Sequence, residues 1–386
     1  MNQENSLPAD LAGALLVGRV WRPAPIDGPS VVVVRNGEVI DITAVAPTVS
    51  DLLDRPDRVA LAKSAKGESL GDVRALMDAT LQNQGGVRLL APCDLQPIKA
   101  AGVTFAISLL ERMIEEEAGG DASRADEIRV RMQALIGSDL SRLRPGSDQA
   151  AKLKAELVER GQWSQYLEVG IGPDAEIFSK AQPMSAVGHL AEIGIHPIST
   201  WNNPEPEVVL VVSSNGKVVG ATLGNDVNLR DVEGRSALLL SKAKDNNASA
   251  SVGPMIRLFD GGFSLDDVRQ TEVRLTVDGE DDGFRMDGSS AMSKISRDPE
   301  DLVKQTVGKN HQYPDGFVLY LGTMFAPVQD RDGPGQGFTH KVGDIVTISA
   351  PKLGSLSNRV VLCPDAEPWT FGTAALMRNL AGRGLL

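Results

Sequence analysis

Cysteine and histidine are scarce in this chain of 386 residues, which holds two cysteines and four histidines. Cys93 and Cys363 lie 270 positions apart, so the sequence offers neither a disulfide framework nor a thiolate metal site. Such sparing use of cysteine is typical of proteins from a reducing compartment. The histidines show no spacing of metal ligands. We expect an ordinary structural role for each of them, and the case is weakest for His311, which lies among polar and turn residues before a predicted strand.

Long apolar runs and an excess of positive charge are also missing. The longest aliphatic runs, such as Val208–Val212, are far shorter than the roughly 20 residues that a membrane-spanning helix requires. The 51 acidic residues outnumber the 39 basic ones, and the net charge of −12 disfavours binding to nucleic acid or to an anionic membrane. The first residues include Glu4 and Asp10 and no basic stretch, which argues against a secretory signal. We therefore expect a cytoplasmic protein with neither a nucleic-acid nor a membrane partner.

What is present is an ordinary globular composition, long enough for two or three domains of about 150 residues each. Residues 1–90 alternate short apolar runs with turn residues, among them the hairpin signal Asn36-Gly37, and predict a small N-terminal β-rich domain. Residues 166–386 carry further short β-branched runs divided by turn residues, with helices expected only at Leu238–Lys244 and Pro299–Gly308. The sequence therefore predicts an α+β protein in which strands dominate.

Residues 91–165 interrupt the strand pattern. From Ser108 to Glu159 apolar side chains recur at helical spacing in three stretches, separated by Gly119-Gly120 and by Pro145-Gly146. We expect the charged faces of these three helices to be solvated, as the polar face of an amphipathic helix usually is. The segment therefore predicts a helical insertion between two strand-rich regions.

The most informative residues are three carboxylates around a predicted hairpin. Glu205 and Glu207 lie two positions apart at the start of an apolar strand, so both side chains point to one face. The chain returns through a turn at residues 213–216, and the second strand ends at Asp226, close to the two glutamates. Like charges held together need a neutralising cation, and carboxylates without nearby histidine or cysteine favour the hard cations Mg²⁺ and Mn²⁺. Solvated strand ends are the alternative.

Seven motifs in order, across about residues 95–363, resemble the fumarylacetoacetate hydrolase superfamily. They are FSKAQPMSAVG (178–188), EPE (205–207), GNDVNLRD (224–231), AKDNNASASVGP (243–254), DGSSAMSKIS (287–296), LGT (321–323) and LGSLSNRV (353–360). The resemblance implies a catalytic domain built as a mixed β-sheet roll, a separate small N-terminal β-rich domain, and a homodimer or homotetramer. It also implies that Glu205, Glu207 and Asp226 bind Mg²⁺, with Mn²⁺ as a possible substitute.

The resemblance assigns further residues of the site. The family's active-site lysine lies nine residues before a Gly-Pro pair and corresponds to Lys244, and its Gly-Thr pair, which binds a substrate carboxylate, corresponds to Gly322 and Thr323. A structural salt bridge to a metal ligand is the alternative for Lys244. We expect Lys180 to contact substrate or to neutralise the negative charge that three carboxylates and one divalent cation leave. Arg230 is expected to contact substrate or support the site, with an ordinary surface position as the alternative.

The chain departs from the hydrolases of this family at one position. Their water-activating His-x-x-Glu pair follows a turn that matches residues 102–105, and here Ser108 replaces the histidine while Glu111 keeps the glutamate. Serine has no titratable group near neutral pH, so it cannot serve as the base that activates water. The Ser108-x-x-Glu111 pattern, together with the EPE and SKAKDNNAS motifs and the C-terminal WTFG segment, looks like the 2-keto-3-deoxy-D-pentonate dehydratase branch of the family.

That branch implies Mg²⁺-dependent loss of water from a small sugar acid, a 2-keto-3-deoxy-D-pentonate of the D-xylonate or D-arabinonate type, to give 2,5-dioxopentanoate through an enolate. We expect Glu111, on a helix that forms part of a lid, to be the main acid/base group for departure of the C4 hydroxyl, and Ser108 to orient it or the substrate. Lys244 either takes the C3 proton or stabilises the enolate electrostatically. The alternatives are C–C hydrolysis of an acylpyruvate-type 2,4-diketo acid, decarboxylation of an oxaloacetate-like acid, and a non-catalytic scaffold.

Overall fold

The computed structural model describes residues 6–82, 85–136, 143–161, 163–325 and 327–386 of the chain. The strands of these residues are β1 (Leu16–Arg22), β2 (Gly28–Arg35), β3 (Glu38–Asp41), β4 (Glu68–Asp72), β5 (Arg88–Leu90), β6 (Ile98–Ala101), β7 (Ile177–Ala181), β8 (Glu192–Ile195), β9 (Asn202–Asn203), β10 (Pro206–Val212), β11 (Val218–Asp226), β12 (Asn228–Leu229), β13 (Ala250–Leu258), β14 (Glu272–Asp278), β15 (Arg285–Ala291), β16 (Phe317–Tyr320), β17 (Ile345–Ala350) and β18 (Gly354–Leu362). The α-helices of the same ranges are α1 (Val49–Asp54), α2 (Arg58–Ser64), α3 (Val73–Gln82), α4 (Ala106–Ala118), α5 (Ala125–Ile136), α6 (Asp148–Glu159), α7 (Gln165–Ile171), α8 (Arg230–Glu233), α9 (Leu240–Lys244), α10 (Leu265–Arg269), α11 (Pro299–Thr306) and α12 (Thr373–Gly382). The strand-dominated α+β class predicted from the sequence is confirmed.

Most of these strands belong to two mixed sheets. The larger sheet, of 11 strands, follows the order β4-β3-β2-β1-β13-β11-β10-β16-β6-β7, and β5 pairs with β1 off this path. The smaller sheet follows the order β15-β14-β17-β18-β8. Strand β16 is parallel to β6 and β18 is parallel to β8, while their other neighbours are antiparallel. The short strands β9 and β12 pair with each other beside the larger sheet.

The boundary expected at residue 90 does not divide the larger sheet. Strand β1 pairs antiparallel with β13, with Leu16 opposite Arg257 and Val17 opposite Ile256. Buried side chains from both sides of residue 90, such as Val17 and Val209, belong to one apolar cluster. The N-terminal strands therefore cover one edge of the sheet that carries the carboxylates. An uncovered strand edge could pair with another chain.

The predicted hairpin and the predicted helical segment are both present. Asn36 and Gly37, with φ of 52° and 82°, form the two-residue turn between β2 and β3. The three helices expected between residues 108 and 159 are α4, α5 and α6. The sequence did not predict the further helices α1–α3, α7, α8, α10 and α12. Most of them are too short for apolar periodicity to stand out. No helix of the described residues has the length and apolar character needed to cross a membrane.

Strand β10 fixes the position of the two glutamates. It lies between β11 and β16, and its residues Pro206–Val212 are all buried. Alternate side chains of β10 face two different apolar clusters, so the strand is covered on both faces and reads as one continuous apolar run. Strand β11 returns beside it with Glu207 opposite Gly224. Glu205, Glu207 and Asp226 therefore lie at the same end of this hairpin.

Gly224 of β11 packs closely against side chains of two other strands. A Cβ at this position would lie 2.3 Å from Tyr320 Cε1 and 2.5 Å from Val209 Cγ2. We therefore expect Gly224→Ala to lower the free energy of unfolding by about 1–3 kcal/mol, as overpacked core substitutions do. Chemical denaturation measures the change, and Gly13→Ala is the control because a Cβ at Gly13 has no neighbour within 4 Å. Equal stability of the two variants would contradict this account of the packing.

Candidate metal centre and active site

Three carboxylates meet at the shared end of β10 and β11. One oxygen each from Glu205, Glu207 and Asp226 lies within 4.8 Å of the other two. The three residues are only 1–2% exposed, so they are not solvated strand ends: Glu205 is 2% exposed and the other two are 1% exposed. The two-residue spacing along β10 and the antiparallel return of β11 bring them together, which is the arrangement expected from the hairpin.

Positive side chains of the protein itself surround two of these carboxylates. Lys244 Nζ lies 2.5 Å from Glu205 Oε2 and 3.1 Å from Asp226 Oδ2. Lys180 Nζ lies 2.9 Å from the other oxygen of Asp226, and Arg112 pairs with the other oxygen of Glu205. Because an unpaired buried carboxylate is costly, these contacts explain how Glu205 and Asp226 are tolerated in the interior.

Glu207 has no such cationic partner among the contacts of the described residues. Its Oε2 accepts a hydrogen bond of 2.7 Å from the backbone N–H of Gly322. Burial, followed by the nearby charges of Asp226 and Glu205, raises the pKa of Glu207 well above its usual range. Without a bound cation, Glu207 is therefore the carboxyl group of the three that keeps a proton.

Lys244 ends helix α9 and bridges two of the carboxylates. Burial by itself lowers the pKa of Lys244, but the charges of Asp226 and Glu205 outweigh burial and raise that pKa well above its usual range. The side chain is therefore a firmly held ammonium group in this arrangement. A structural salt bridge and a stabiliser of negative charge both need this charged form. The third role expected from the sequence, removal of the C3 proton, needs the neutral form and is disfavoured.

Lys180 of β7 is enclosed next to Asp226 and is 0% exposed. Its Nζ donates to the backbone carbonyls of Val227, at 3.1 Å, and Lys244, and it lies 3.3 Å from Ser249 Oγ. Burial lowers the pKa of Lys180, and Asp226 counteracts this effect. The neighbouring atoms are oxygens that accept hydrogen bonds, so the contacts fit an ammonium group with three protons. This placement favours the neutralising role expected for Lys180 over contact with a substrate.

The charged face of α4 is buried, which corrects the expectation of a solvated face. Glu111, Arg112 and Glu115 are all buried. Arg112, which also pairs with Glu205, lies 2.5 Å from Glu115 and 3.3 Å from Glu233. Burial raises the pKa of Glu233, although Arg112 opposes this effect. This network could not be predicted from the sequence, because its partners come from distant segments of the chain.

Glu111, the expected acid/base residue, is held by two arginines. Its Oε1 lies 2.9 Å from Arg129 Nε, and its Oε2 lies 2.9 Å from Arg230 Nη2. Burial raises the pKa of Glu111, but the hydrogen bond from Arg129 and the charge of Arg230 outweigh burial and lower it. Glu111 is therefore an ionised carboxylate in this arrangement. It has a pair of electrons to accept a proton and no proton of its own to donate near neutral pH.

Arg230 is a buried part of the same network and not a surface residue. It is 1% exposed, and its guanidinium lies 4.5 Å from the centre of the Trp201 ring. Besides Glu111, it contacts Glu115 at 2.6 Å and donates to the carbonyl of Pro327 at 3.1 Å. Since these partners occupy its donors, Arg230 supports α4 and the chain around residue 327 in this arrangement.

The other residues expected to meet substrate also have partners within the chain. The Ser108 hydroxyl donates to the carbonyl of Phe105, three residues earlier, at 2.8 Å. The Thr323 hydroxyl donates to a carbonyl two residues further on, at 3.0 Å. The N–H of Gly322 is bound to Glu207. Ser108 therefore makes a local helix contact and not the contact of a general base.

Glu176, which no sequence argument singled out, lies among the charges of the site. A Cβ added at Gly102 would lie 1.8 Å from Glu176 Oε2, so this carboxyl group packs directly against Gly102. Burial raises the pKa of Glu176, while Arg112 and Lys244 act in the opposite direction. The residue keeps partial exposure to solvent. It lies two positions before the FSKAQPMSAVG motif, where an acidic side chain looks like an ordinary strand end.

The donor set of the cluster suits a hard divalent cation. All three candidate ligands offer carboxylate oxygens, and within the described residues no histidine or cysteine belongs to the group. Oxygen ligands of this kind are those that Mg²⁺ prefers, and three of them leave coordination positions for water and a ligand. Such a cation would compete with Lys244 and Arg112 for Glu205 and would replace the proton of Glu207.

The fold is mixed and strand-dominated, and its β10–β11 hairpin carries a buried carboxylate cluster. These features define a protein with a candidate site for a hard divalent cation. The family model described as "Fumarylacetoacetate (FAA) hydrolase C-terminal" matches residues 155–361, which is more than half of the chain. The chain therefore belongs to this family, and the resemblance found in the sequence motifs is confirmed. The match includes the whole of the β10–β11 hairpin and α9.

Two curated relatives are similar over more than half of the chain. The 2-dehydro-3-deoxy-D-arabinonate dehydratase of Saccharolobus solfataricus is 30% identical over 224 residues, which are 57% of this chain and 68% of that protein. The "Probable 2-keto-3-deoxyxylonate dehydratase" of Haloferax volcanii is 29% identical over 241 residues, which are 62% of this chain and 79% of that protein. Both carry the names of dehydratases, which are hydro-lyases.

A solved structure shares the fold across nearly the whole chain. It is 2-keto-3-deoxy-D-arabinonate dehydratase complexed with magnesium and 2,5-dioxopentanoate. The TM-score is 0.61 at 22% sequence identity, with 89% of this chain and 98% of that chain covered. At this identity the likeness shows the fold alone.

The proton on Glu207 links metal binding to pH. Because a cation must displace this proton, we expect the affinity for Mg²⁺ or Mn²⁺ to fall as pH decreases, by up to about tenfold per pH unit for one linked proton. Isothermal titration calorimetry in two buffers of different ionisation enthalpy measures both the affinity and the proton released. An affinity that is independent of pH, with no proton release, would contradict the protonated state of Glu207.

Proposed function

We propose that this protein is a Mg²⁺-dependent dehydratase that converts a 2-keto-3-deoxy-D-pentonate to 2,5-dioxopentanoate. The observation that carries the proposal is the buried cluster of Glu205, Glu207 and Asp226 with Lys244 between two of its members. The names of the two curated relatives, and of the solved structure with magnesium and 2,5-dioxopentanoate, support the same reaction.

The two relatives' names refer to one substrate. D-arabinonate and D-xylonate differ only at carbons 2 and 3, and both have the D configuration at carbon 4. Conversion of carbon 2 to a ketone and removal of the carbon 3 hydroxyl erase every difference between them. The proposed substrate is therefore a single compound, a five-carbon 2-keto acid with hydroxyl groups on carbons 4 and 5.

Glu205, Glu207 and Asp226 are proposed to hold the Mg²⁺ ion. A bound divalent cation supplies Lewis acidity, which polarises the 2-keto group and makes the C3 proton easier to remove. The three carboxylates would be the ligands that the protein supplies to the cation. The backbone N–H of Gly322 keeps Glu207 in place through a hydrogen bond of 2.7 Å. Thr323, next to it, is proposed to meet the substrate carboxylate after exchanging its internal hydrogen bond.

Lys244 is proposed to stabilise the negative charge that develops on the substrate as the C3 proton leaves. Its ammonium group already lies between two carboxylates, at 2.5 Å and 3.1 Å. If Glu205 and Asp226 held a metal ion, this ammonium group would no longer be needed to neutralise them. A fixed charge placed where negative charge forms is among the strongest catalytic effects available to a protein.

Two carboxyl groups are proposed to move the protons. Burial raises the pKa of Glu176, and this residue is proposed to give a proton to the leaving C4 hydroxyl. Glu111 is ionised and is proposed to accept the C3 proton once α4 releases it from Arg129 or Arg230. Water leaves, and the unsaturated 5-hydroxy-2-keto acid that remains isomerises to 2,5-dioxopentanoate as one proton from C5 and the proton of its hydroxyl move to C3 and C4. Ser108, one turn before Glu111 on α4, is proposed to orient it.

The assembly expected for the active protein is a homodimer or homotetramer in the cytoplasm.

The reaction is tested with the purified protein, Mg²⁺ and synthetic 2-keto-3-deoxy-D-pentonate. We expect a semialdehyde that reacts with a carbonyl reagent and gives the NMR spectrum of 2,5-dioxopentanoate. Glu205→Gln is expected to lower turnover by about 100-fold or more, since the loss of groups that merely orient a metal ligand costs about 10–100-fold. Glu192→Gln, at the exposed start of β8, is the matched control and should keep full turnover. No semialdehyde, together with cleavage of an acylpyruvate, would refute dehydration in favour of C–C hydrolysis.

Glu111→Gln and Glu176→Gln separate the two proton transfers. Each variant is expected to lower kcat by about 100-fold or more, which is the usual contribution of a general acid or base. In D₂O, Glu176→Gln should still exchange deuterium into carbon 3 of the substrate, because the C3 proton is removed by another group. Glu111→Gln should lose this exchange. Exchange that persists in Glu111→Gln and disappears in Glu176→Gln would reverse the two assignments.

A further inference from the structure

We propose that Lys180 is a positioning residue whose ammonium group serves as a permanent internal cation of the metal centre. It fills a cage of oxygen atoms beside the three carboxylates and holds Asp226 in the position that a divalent cation needs. The inference rests on the proposed metal site, and it is independent of the identity of the substrate.

The oxygen cage is formed by four residues around Lys180 Nζ. Asp226 Oδ1 lies at 2.9 Å, the carbonyl of Val227 at 3.1 Å and Ser249 Oγ at 3.3 Å, and the carbonyl of Lys244 completes the set. Two of the four oxygens belong to the backbone, so their positions are set by the fold and not by a rotamer. A shell made only of oxygen atoms is what a monovalent cation binds, and here a lysine side chain supplies the charge.

The cage is itself held rigid by hydrogen bonds. The Ser249 hydroxyl donates to the carbonyl of Lys244 at 2.7 Å and accepts from the backbone N–H of Asn246 at 3.0 Å. The Lys244 carbonyl lies at the end of α9, where helical carbonyls lack partners within the helix and carry partial negative charge. Lys180 Nζ therefore contacts both the backbone carbonyl of Lys244 and the side chain of Asp226.

The two lysines near Asp226 differ in what they contact. Lys244 Nζ bridges Asp226 and Glu205, and thus lies between two candidate metal ligands. Among the ion pairs of the described residues, Lys180 contacts Asp226 alone, on the opposite oxygen. A divalent cation held by Glu205 and Asp226 would compete with the ammonium group of Lys244, which contacts both carboxylates. Lys180, which contacts the other oxygen of Asp226, would stay in place and keep the orientation of that carboxylate.

Two variants of Lys180 test this role without any substrate. Lys180→Met keeps the length of the side chain and removes its charge, and Lys180→Ala opens the cage to a small cation. Calorimetry with Mn²⁺ alone should show affinity lowered by about tenfold or more in both variants, as for other groups that orient a metal ligand. In Lys180→Ala, but not in Lys180→Met, replacement of tetramethylammonium by ammonium or potassium ions should restore most of the lost affinity.

Lys99→Met is the matched control. Lys99 lies on β6, which pairs with β7, and its partly exposed Nζ donates to Ser179 Oγ at 2.9 Å. The control should bind Mn²⁺ as the wild type does, in any of the monovalent salts. Wild-type affinity in Lys180→Met would overturn the proposal. So would a loss in Lys180→Ala that neither ammonium nor potassium restores, because the packing of the side chain and not its charge would then matter.

The failure of the underlying metal site has a different signature. If the wild type itself binds no Mn²⁺ or Mg²⁺, the proposed metal centre is wrong and the role of Lys180 falls with it. If both Lys180 variants fail to fold, reductive methylation of the wild type decides, with mass spectrometry as the readout. Lys180 should stay unmodified with and without Mg²⁺ while Lys99 is methylated, and methylation of both lysines at similar rates would overturn the cage.

Discussion

The burial of three carboxylates within 4.8 Å of one another is the constraint on which the rest of the centre depends. Each isolated ion buried in a protein costs several kcal/mol, so such a cluster persists only if positive charge is built around it. Lys180, Lys244 and Arg112 supply that charge from three separate segments of the chain. None of these three cations pairs with Glu207. Its raised pKa shows where the positive charge of a metal ion would act.

The same requirement extends outwards through helix α4. Arg112 neutralises Glu205 but also needs Glu115, and Glu115 in turn pairs with Arg230. Removing one member of such a buried chain would leave an uncompensated charge, which costs about 3–5 kcal/mol. The position of α4 is therefore coupled to the charge state of the carboxylate cluster. Because Arg112 pairs with Glu205, a cation bound by Glu205 would change the charge balance around α4, the helix that carries Glu111.

Local patterns in the sequence were enough for the hairpin and its carboxylates, and insufficient for what surrounds them. Glu205, Glu207 and Asp226 belong to two consecutive strands, so their spacing carries the information. Arg112 lies on an amphipathic helix whose charged face looks solvated, and only tertiary packing reveals that it is buried. The continuity of the large sheet past residue 90 likewise depends on β1 pairing with β13, more than 200 residues away. The family resemblance bridged part of this gap, because its ordered motifs mark the strands and loops that meet at the centre.

The replacement of the expected histidine by Ser108 acquires a chemical meaning from the two carboxyl groups nearby. A hydrolase must generate a nucleophile from water, whereas a dehydratase must deliver a proton to a departing hydroxyl group and receive one from carbon. Burial raises the pKa of Glu176, and two arginines lower that of Glu111, so the two environments shift the pKa values in opposite directions. Carboxyl groups separated in this way are suited to serve as acid and base in one reaction. The proposed dehydration needs such a pair, and it needs no water-activating base at position 108.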